Sequence, residues 1–381
     1  MGQRKGRLET MVIDPSFWRG RRVFLTGHTG FKGAWMSLLL SRLGAKLFGY
    51  ALPPEDASGV FVAAEVTRDI DHRIGDIRDL ASTRAALDAA QPEIIIHMAA
   101  QALVRQSYAE PVETYATNVM GTVHVLEAAR QNPSVRAIVV VTSDKSYENR
   151  GWVWGYRETD RLGGHDPYSN SKACTELVAD AYRKSYFEPA GTVRIASGRA
   201  GNVIGGGDWA CDRLIPDAMR AFLAGDTLKI RNPRAIRPWQ HVLDPVSGYL
   251  VLAQRLINER DGQTFAEGWN FGPGAASAVP VADIIEKLAQ RWETAHWEID
   301  GGDHPHEAAV LWLDCAKAAA RLKWTPALDL EATLQLTSEW YRAQGDKANM
   351  RQVTLAQIER FLDLTQRQEK TGANGVPAAF S

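Results

Sequence analysis

The sequence contains few cysteines and no long apolar run. Its three cysteines, Cys174, Cys211 and Cys315, show neither CxxC spacing nor the density of a disulfide framework, which predicts reduced thiols. No apolar stretch approaches the ~20 residues that cross a bilayer. The segment MGQRKGRLET is basic but lacks the apolar core of a signal peptide, and Met11 is a candidate natural start. We therefore expect a cytoplasmic protein whose first ten residues are disordered and whose final segment, TGANGVPAAFS, is mobile.

The sequence also lacks a charge excess and any metal-binding spacing. A formal net charge of -1 gives no bulk attraction to nucleic acid or to an anionic membrane, so we predict neither as a partner. His97, His304, His306 and the scattered acidic residues follow no metal-ligand spacing such as HExxH, and we predict no metal. His97 comes directly after three isoleucines, which indicates a packed residue at a strand end.

The sequence does contain an alternation of apolar strands and helical patterns. The strand patterns are RRVFLT, KLFGYAL, EIIIHMA and residues 138–141, and helical patterns such as ASTRAALDAA separate them. This order predicts an α/β fold, a Rossmann-type doubly wound parallel sheet with a smaller C-terminal α/β substrate-binding lobe. We expect an N-terminal extension at 1–19, the dinucleotide-binding domain at 20–200, the lobe at 201–345 with some segments returning to that domain, and a C-terminal helix and tail at 346–381.

A glycine-rich loop lies between the first strand and its helix, with the sequence Gly27-His28-Thr29-Gly30-Phe31-Lys32-Gly33. Its glycines permit a tight turn and close approach of a pyrophosphate to the helix N-terminus, whose amides and dipole favour anions. The loop therefore predicts dinucleotide binding. The second strand ends in GYAL, without an acid for a ribose hydroxyl or an arginine for a 2′-phosphate, so NAD and NADP both stay open. Asp76 either reaches the adenine or is a simple turn residue.

A tyrosine and a lysine predict the chemistry. Tyr168 and Lys172 are four residues apart and share one face of a helix. A nearby cation favours the phenolate, so we expect Lys172 to make Tyr168 a usable base near neutral pH. Ser143, which follows the apolar strand at 138–141, supplies a hydroxyl at the same edge of the sheet.

These features resemble a known family. The glycine spacing, the serine at a strand end and Tyr-x-x-x-Lys are similar to the extended short-chain dehydrogenase/reductases that act on nucleotide sugars. Longer blocks narrow the resemblance to the CDP-glucose 4,6-dehydratases, over roughly residues 16 to 345. The blocks are GHTGFKGAW, TSDKSYENRGWVWGYRETDRLGGHDPYSNSKACTELV, RAGNVIGGGDWACDRLIPD and RNPRAIRPWQHVLDP.

The resemblance implies a reaction on CDP-D-glucose with NAD as cofactor. Tyr168 would take the C4 hydroxyl proton while the hydride leaves, Ser143 would bind the C4 oxygen, and Lys172 would also hold the nicotinamide ribose. The C4 ketone acidifies the C5 proton, so water is lost across C5 and C6 with the help of a base and an acid. Return of the hydride to C6 and of a proton to C5 would give CDP-4-dehydro-6-deoxy-D-glucose.

Asp144 and Lys145 are the residues that set this chain apart. We expect Asp144 to be the acid that protonates the departing C6 hydroxyl, held protonated by burial. Related dehydratases typically carry Glu after this Asp as the C5 base, whereas this chain has Lys145. Either a neutral Lys145 is the base, or a charged Lys145 stabilises the enolate and Tyr168 is the base. We expect no surface ion pair between Asp144 and Lys145, because adjacent strand residues point to opposite faces, although this alternation loosens beyond the strand end.

The resemblance also implies two sets of binding residues. The cofactor set is Gly27, Thr29, Gly30, Phe31, Lys32, Gly33, Asp76, Ile77, Ala99, Ala100, Gln101, Asn118, Tyr168 and Lys172. The substrate set is Ser143, Asn202, Leu214, Ile215, Arg237 and His241. For Arg237 the alternative is an exposed solvated side chain, and for Leu214 and Ile215 it is core packing. Trp152 and Trp154 belong either to loop packing or to a lid over the sugar.

Three functions stay open from the sequence. The first is the 4,6-dehydratase, acting on CDP-glucose or on another nucleotide hexose. The second is a nucleotide-sugar 4-epimerase, which has no use for an acid at Asp144. The third is a non-catalytic nucleotide sensor, which has no use for a poised base. Relatives imply a homodimer or homotetramer paired through helices at about 112–131 and 168–187, and a deoxy sugar destined for surface polysaccharide such as the O-antigen of lipopolysaccharide.

Overall fold

The structure, a computed structural model, describes residues 13–371 apart from 192, 259, 294 and 302–310. Its strands are β1 (Arg22–Thr26), β2 (Lys46–Ala51), β3 (Asp71–Ile74), β4 (Ile94–His97), β5 (Ala137–Thr142), β6 (Arg194–Arg199), β7 (Val203–Ile204), β8 (Thr227–Ile230), β9 (Ile236–Pro238), β10 (Gln240–His241), β11 (Gly268–Asn270), β12 (Ala278–Pro280) and β13 (His296–Ile299). Its α-helices are α1 (Pro15–Trp18), α2 (Phe31–Arg42), α3 (Val60–Ala63), α4 (Leu80–Ala90), α5 (Val104–Ala109), α6 (Pro111–Tyr115), α7 (Gly121–Arg130), α8 (Pro167–Tyr182), α9 (Glu188–Ala190), α10 (Leu214–Ala224), α11 (Leu243–Ile257), α12 (Val281–Ala289), α13 (Leu330–Gly345) and α14 (Met350–Thr371).

A seven-stranded parallel sheet forms the centre of the molecule, in the order β11-β6-β5-β4-β1-β2-β3. Helices α2, α4, α7 and α8 lie in the crossovers between its first strands. This arrangement confirms the predicted Rossmann-type, doubly wound α/β fold. The order in which successive strands are added reverses between β1 and β4, and ligands of such sheets bind at the carboxyl ends of the strands near that point.

The central strands are continuous apolar runs because helices cover both faces of the sheet. Along β5, Ile138 and Val140 pack into one cluster and Val139 and Val141 into the other. The first cluster contains buried side chains of α4, α7 and α8, and the second those of α2, α11, α13 and α14. Helix α2 ends at Arg42, and Gly44 follows it with the positive φ of +81° that favours glycine.

After residue 200 the chain forms short paired strands and helices. Strand β10 pairs with β7, β12 with β9 and β13 with β8, in two-stranded ladders outside the main sheet. Two elements of this part return to the sheet: α11 packs on β5 and β6, and β11 pairs with β6. The described residues include no helix long and apolar enough to span a membrane.

The N-terminal boundary differs from the prediction. Residues 13–19 were expected to belong to an extension, but α1 packs into the core, with Ile13 5% and Trp18 0% exposed. The indole Nε1 of Trp18 donates to Oε1 of Gln254 on α11 at 2.7 Å, and this long-range partner leaves no local sequence signal. Met11, the first ten residues, His304, His306 and the final segment from 372 onward lie outside the described residues.

We expect Trp18→Ala to lower the free energy of unfolding by about 3–5 kcal/mol, because it empties a fully buried site and removes one of two donors to Oε1 of Gln254, the other being the backbone N of Asp14. The matched control is Trp154→Ala, since that side chain is 54% exposed and its loss has a smaller effect. Urea denaturation followed by circular dichroism measures both. Equal midpoints for the two variants would contradict the buried position of α1.

Candidate active site

Ser143, Asp144 and Lys145 follow β5 at the carboxyl edge of the sheet. A 3-10 turn at Asp144–Ser146 begins there, and Ser143 caps it by accepting from the backbone N of Lys145 at 3.2 Å. The Ser143 hydroxyl donates to Oδ1 of Asp144 at 2.9 Å. The turn thus gathers a hydroxyl, a carboxylate and an amine at one point.

The Asp144 carboxylate is fully buried, and its Oδ2 has no hydrogen-bond partner among the described residues. Gly201, after β6, packs directly against it: a Cβ at Gly201 would lie 1.9 Å from Oδ2. Only glycine fits at that contact. An unpartnered buried carboxylate oxygen is costly unless it is protonated or meets a ligand, which suits a group that exchanges a proton with a substrate.

The expected separation of Asp144 and Lys145 is wrong. The Lys145 Nζ lies 3.9 Å from Oδ1 of Asp144, and the lysine side chain keeps 34% of its surface exposed. The alternation of strand residues does not apply, because both residues lie in the 3-10 turn and not in β5. The lysine side chain therefore lies beside the buried carboxylate and is also partly exposed at the carboxyl edge of the sheet.

Tyr168 and Lys172 occupy the first turns of α8. Asp166 caps the helix by accepting from the backbone N of Ser169 at 2.9 Å. Burial raises the pKa of Tyr168, opposed by a hydrogen bond with Ser143 and by the positive charge of Arg213. No sequence pattern predicted that Arg213 lies near Tyr168.

Lys172 is buried, with 6% exposure, and its Nζ lies 3.5 Å from the carbonyl oxygen of Val141 on β5. Burial lowers the pKa of Lys172 to about 8, and the carboxylate of Glu176 opposes that effect. The ammonium is thus close to losing its proton in the physiological range, so its charge depends on its neighbours.

The glycine loop forms a close-packed cradle at the start of α2. A Cβ at Gly27, whose φ is +74°, would lie 2.7 Å from the backbone N of Ala99, and one at Gly33 would lie 2.1 Å from the carbonyl oxygen of Gly27. Gly30 caps α2 without a side chain, which leaves the first helical amides to an external anion. The Thr29 hydroxyl donates to the carbonyl oxygen of Leu52 at 2.9 Å. The residues present fit a dinucleotide pyrophosphate.

Lys32 of this loop lies among the catalytic charges. Burial lowers the pKa of Lys32 to about 8, Arg213 and Lys172 add to the effect, and Asp144 and Asp208 oppose it. Arg213 is held by Asp208, with Nη1 at 2.9 Å from Oδ2. The pair stands five residues apart in a loop, a spacing that carries no sequence signal.

The remaining predicted cofactor residues surround the ends of β3 and β4. Asn118, in a π-helical segment at Ala116–Met120, accepts from the backbone N of Gln101 at 2.9 Å and donates to Oγ of Ser171 at 2.8 Å. Asp76 accepts hydrogen bonds from the Arg78 backbone and guanidinium, so it has the contacts of a turn residue. Ala99 and Ala100 follow β4 directly, and Ile77 is buried against Gly121.

His97 is packed at a strand end, as predicted. Its Nδ1 lies 2.7 Å from Oγ1 of Thr26 and its Nε2 3.0 Å from Oγ1 of Thr122, and burial lowers the pKa of His97 to about 3. Among the described residues no group of three or more His, Cys, Asp or Glu side chains is arranged to hold a metal ion.

The predicted substrate residues differ in access. Asn202 adopts a positive φ of +50°, and its buried Nδ2 has no partner among the described residues. Leu214 begins α10 and is half-buried, as is Arg237 on β9. Ile215 is 2% exposed and His241 is fully buried beside the Trp35 ring, so neither presents surface to a ligand here.

The two loop tryptophans behave differently. Trp152 stacks on Tyr156 with ring centroids 5.4 Å apart and joins a small cluster with Leu311 and Leu313. Trp154 is 54% exposed and contacts the Trp152 ring at 5.4 Å. Packing therefore accounts for Trp152.

Known proteins share this fold and this sequence. The CDP-glucose 4,6-dehydratase of Salmonella typhimurium is 51% identical over 93% of this chain and 100% of its own. The dTDP-glucose 4,6-dehydratase of Streptomyces griseus is 30% identical over 70% of this chain and 76% of its own. The solved structure of UDP-glucose 4-epimerase from Brucella ovis in complex with NAD has a TM-score of 0.72 at 23% identity, covering 84% of this chain and 98% of its own, which shows a shared fold. The family model of GDP-mannose 4,6 dehydratase matches residues 24–337, and the chain belongs to this family of nucleotide-sugar 4,6-dehydratases.

Proposed function

We propose that the protein is an NAD-dependent hydro-lyase that converts CDP-D-glucose to CDP-4-dehydro-6-deoxy-D-glucose and water. The observation that carries the proposal is the convergence of Ser143, Asp144 and Lys145 with Tyr168 at one edge of the sheet, in a chain 51% identical to a CDP-glucose 4,6-dehydratase. Tyr168 serves oxidation at C4, and Asp144 and Lys145 serve the loss of water.

The glycine cradle and the ends of β3 and β4 would hold the cofactor. When bound there, NAD supplies the acceptor and the later donor of the hydride. We assign to its site Gly27, Thr29, Gly30, Phe31, Lys32, Gly33, Asp76, Ile77, Ala99, Ala100, Gln101, Asn118, Tyr168 and Lys172.

In the first step Tyr168 removes the proton of the C4 hydroxyl. Its phenolate is disfavoured by burial and favoured by the Ser143 hydrogen bond and by Arg213. Burial and the charge of Asp144 both disfavour the phenolate, so positive charge beside the ring increases the amount of phenolate that is available. Ser143, which already bonds both Tyr168 and Asp144, is placed to bind the C4 oxygen.

The second step removes water across C5 and C6. Asp144, whose Oδ2 has no hydrogen-bond partner in the part of the chain that the structure describes, protonates the departing hydroxyl. Lys145 is partly exposed beside that carboxyl group, so we assign removal of the C5 proton to its neutral amine form, with Tyr168 as the alternative base. A 4-epimerase requires neither residue, which is why the pair favours a dehydratase.

Substrate binding uses the part of the chain after β6. An arginine fork donates paired hydrogen bonds to phosphate oxygens, and we assign Arg237 and Asn202 to the nucleoside diphosphate. Leu214 is the accessible apolar residue at the start of α10 and would lie against the base. We leave Ile215 and His241 out of the contact surface because they are buried. We place the enzyme in the cytoplasm, supplying deoxy sugar for the O-antigen of lipopolysaccharide or other surface polysaccharide.

Incubation with CDP-glucose and NAD in deuterated water tests the activity. We expect a product that has lost one water and carries deuterium at C5, because the elimination removes the C5 proton and a solvent deuteron replaces it when the hydride returns to C6. Mass and proton spectra measure both. The UDP, GDP and dTDP glucoses are the controls, and turnover of one of them without turnover of CDP-glucose would assign a different nucleotide. A sugar unchanged except for inversion at C4 would indicate an epimerase, and no turnover of any of them would indicate a binding protein.

Variants of the two charged residues separate their roles. We expect Asp144→Asn to lower the rate of water loss by about 10²- to 10⁴-fold while deuterium still enters C5, since the amide keeps the shape but supplies no comparable acid. We expect Lys145→Met to abolish both water loss and C5 exchange. Exchange at the wild-type rate in Lys145→Met would assign the C5 proton to Tyr168.

We also propose a homodimer, paired through the helices near 112–131 and 168–187. In the structure these are α6, α7 and α8 with π-helical segments at Ala116–Met120 and Arg183–Phe187. Large apolar side chains are exposed along them, at Val112 (82%), Met120 (48%), Leu177 (58%) and Tyr186 (47%). A second copy of the chain would cover them.

We expect Leu177→Glu to convert the dimer to a monomer, because it places a charge in the apolar face between two copies. Size-exclusion chromatography with light scattering measures the mass. The matched control is Val153→Glu, at a residue that is 83% exposed on a loop outside these helices, and it should leave the mass unchanged. A wild-type mass of one chain would exclude this dimer.

A further inference from the structure

Glu176 is a buried acid for which the reaction steps above have no use. It lies on α8 one turn after Lys172 and is 5% exposed. Its carboxylate accepts three hydrogen bonds, from Thr142 at the end of β5, from Ser197 on β6 at 2.5 Å and from Arg199 on β6 at 2.8 Å. Tyr168, Lys172 and Glu176 thus follow one another at intervals of four residues on one helical face.

Arg199, the cationic partner, is fixed from the other side. Its Nη1 donates to the hydroxyl of Tyr147 at 2.5 Å, and that hydroxyl donates to Oδ1 of Asn270 at 2.8 Å. A Cβ at Gly268 on β11 would lie 2.7 Å from the guanidinium, so the strand packs closely on it. Burial opposes ionisation of Glu176, but the charge and hydrogen bond of Arg199 together with the Ser197 and Thr142 hydrogen bonds lower the pKa of Glu176 below its ordinary value.

The charges facing Lys172 come from three elements. Glu176 on its own helix is the anion, Lys32 at the start of α2 is a second cation, and His97 at the end of β4 is neutral because burial lowers its pKa to about 3. Tyr168 completes the set on α8. Glu176 is therefore the charge that offsets the burial of the Lys172 ammonium.

We propose that Glu176 is a positioning residue for catalysis, which keeps Lys172 in its ammonium form and fixes α8 to the strand ends that carry Ser143. The inference rests on the proposed function for its kinetic consequences only. A buried ion pair adds little net stability compared with packed apolar groups, so stability alone is a weak reason for the Glu176–Arg199 pair. Thr142, which precedes Ser143, transmits the position of Glu176 to the catalytic turn.

The sign of the effect follows from the charges. Without the Glu176 carboxylate, Lys172 faces Lys32 and an uncompensated Arg199, and it loses its proton at a lower pH. A neutral Lys172 no longer supplies positive charge one helical turn from Tyr168 and no longer orders the ribose beside it. Activity is then lost at a lower pH than in the wild type, while binding of the substrate's nucleotide, which lies away from Lys172, is unaffected.

The kinetic test compares the pH dependence of kcat in the wild type and in Glu176→Gln. We expect the alkaline limb to move down by about one pH unit, roughly a tenfold loss of kcat above it, with little change in KM for CDP-glucose. Thr142→Val is the control that removes a hydrogen bond but keeps the charge, and it should not move the limb. Glu127→Gln removes a carboxylate from another glutamate–arginine pair, with Arg130, and should leave the profile unchanged.

A second measurement needs no turnover. Protein labelled with ε-¹³C lysine shows the titration of Lys172, assigned by its absence from Lys172→Met. A lower titration midpoint in Glu176→Gln supports the inference even where CDP-glucose is not a substrate. An unchanged midpoint overturns it. If Glu176→Gln does not fold, the double variant Glu176→Gln/Arg199→Met removes both charges together, and the midpoint should fall by less than in the single variant but in the same direction.

Discussion

The contact between the Asp144 carboxylate and the backbone of Gly201 is the constraint that organises this site. It joins the turn after β5 to the loop after β6 so closely that a methyl group at Gly201 would lie 1.9 Å from a carboxylate oxygen. The carboxylate cannot move toward the loop, and Ser143 holds it from the other side at 2.9 Å. Oδ1 accepts from Ser143 and lies 3.9 Å from Nζ of Lys145, whereas Oδ2, which faces Gly201, has no hydrogen-bond partner among the described residues.

Buried charges surround this contact, and they act on each other more strongly than charges in water do. Lys32, Lys172 and Arg213 are the cations, and Asp208 and Glu176 are anions that partly offset them. Burial lowers the pKa values of Lys32 and Lys172 to about 8, so the charges of both side chains change close to physiological pH. An arrangement of this kind allows small changes in charge to alter proton positions, which a reaction with several proton transfers requires.

Local pattern accounted for the strands, the glycine loop and the Tyr168–Lys172 pair, because each depends on spacing of 2, 3 or 4 residues. The pairings of Arg199 with Glu176 and of Arg213 with Asp208 were not predicted. The first joins residues 23 apart on different elements, and the second lies in an irregular loop. The Asp144–Lys145 contact was wrongly excluded, because strand alternation was extended one turn past the end of β5. The position of Trp18 required knowledge of its partner Gln254 on α11.

The end of β2 shows why one expected recognition group is missing. The ring of His28 lies so close to Gly49 that a Cβ there would be 2.6 Å from it, and His28 is held by His72 on β3 at 2.6 Å between ring nitrogens. The adjacent Tyr50 ring covers Gly75 in the same way. Packing between the glycine loop and β2 thus uses the positions that carry a ribose-binding carboxylate in many dinucleotide folds. The same close packing therefore accommodates His28 in the glycine loop and leaves no space for an acidic side chain at Gly49 on β2.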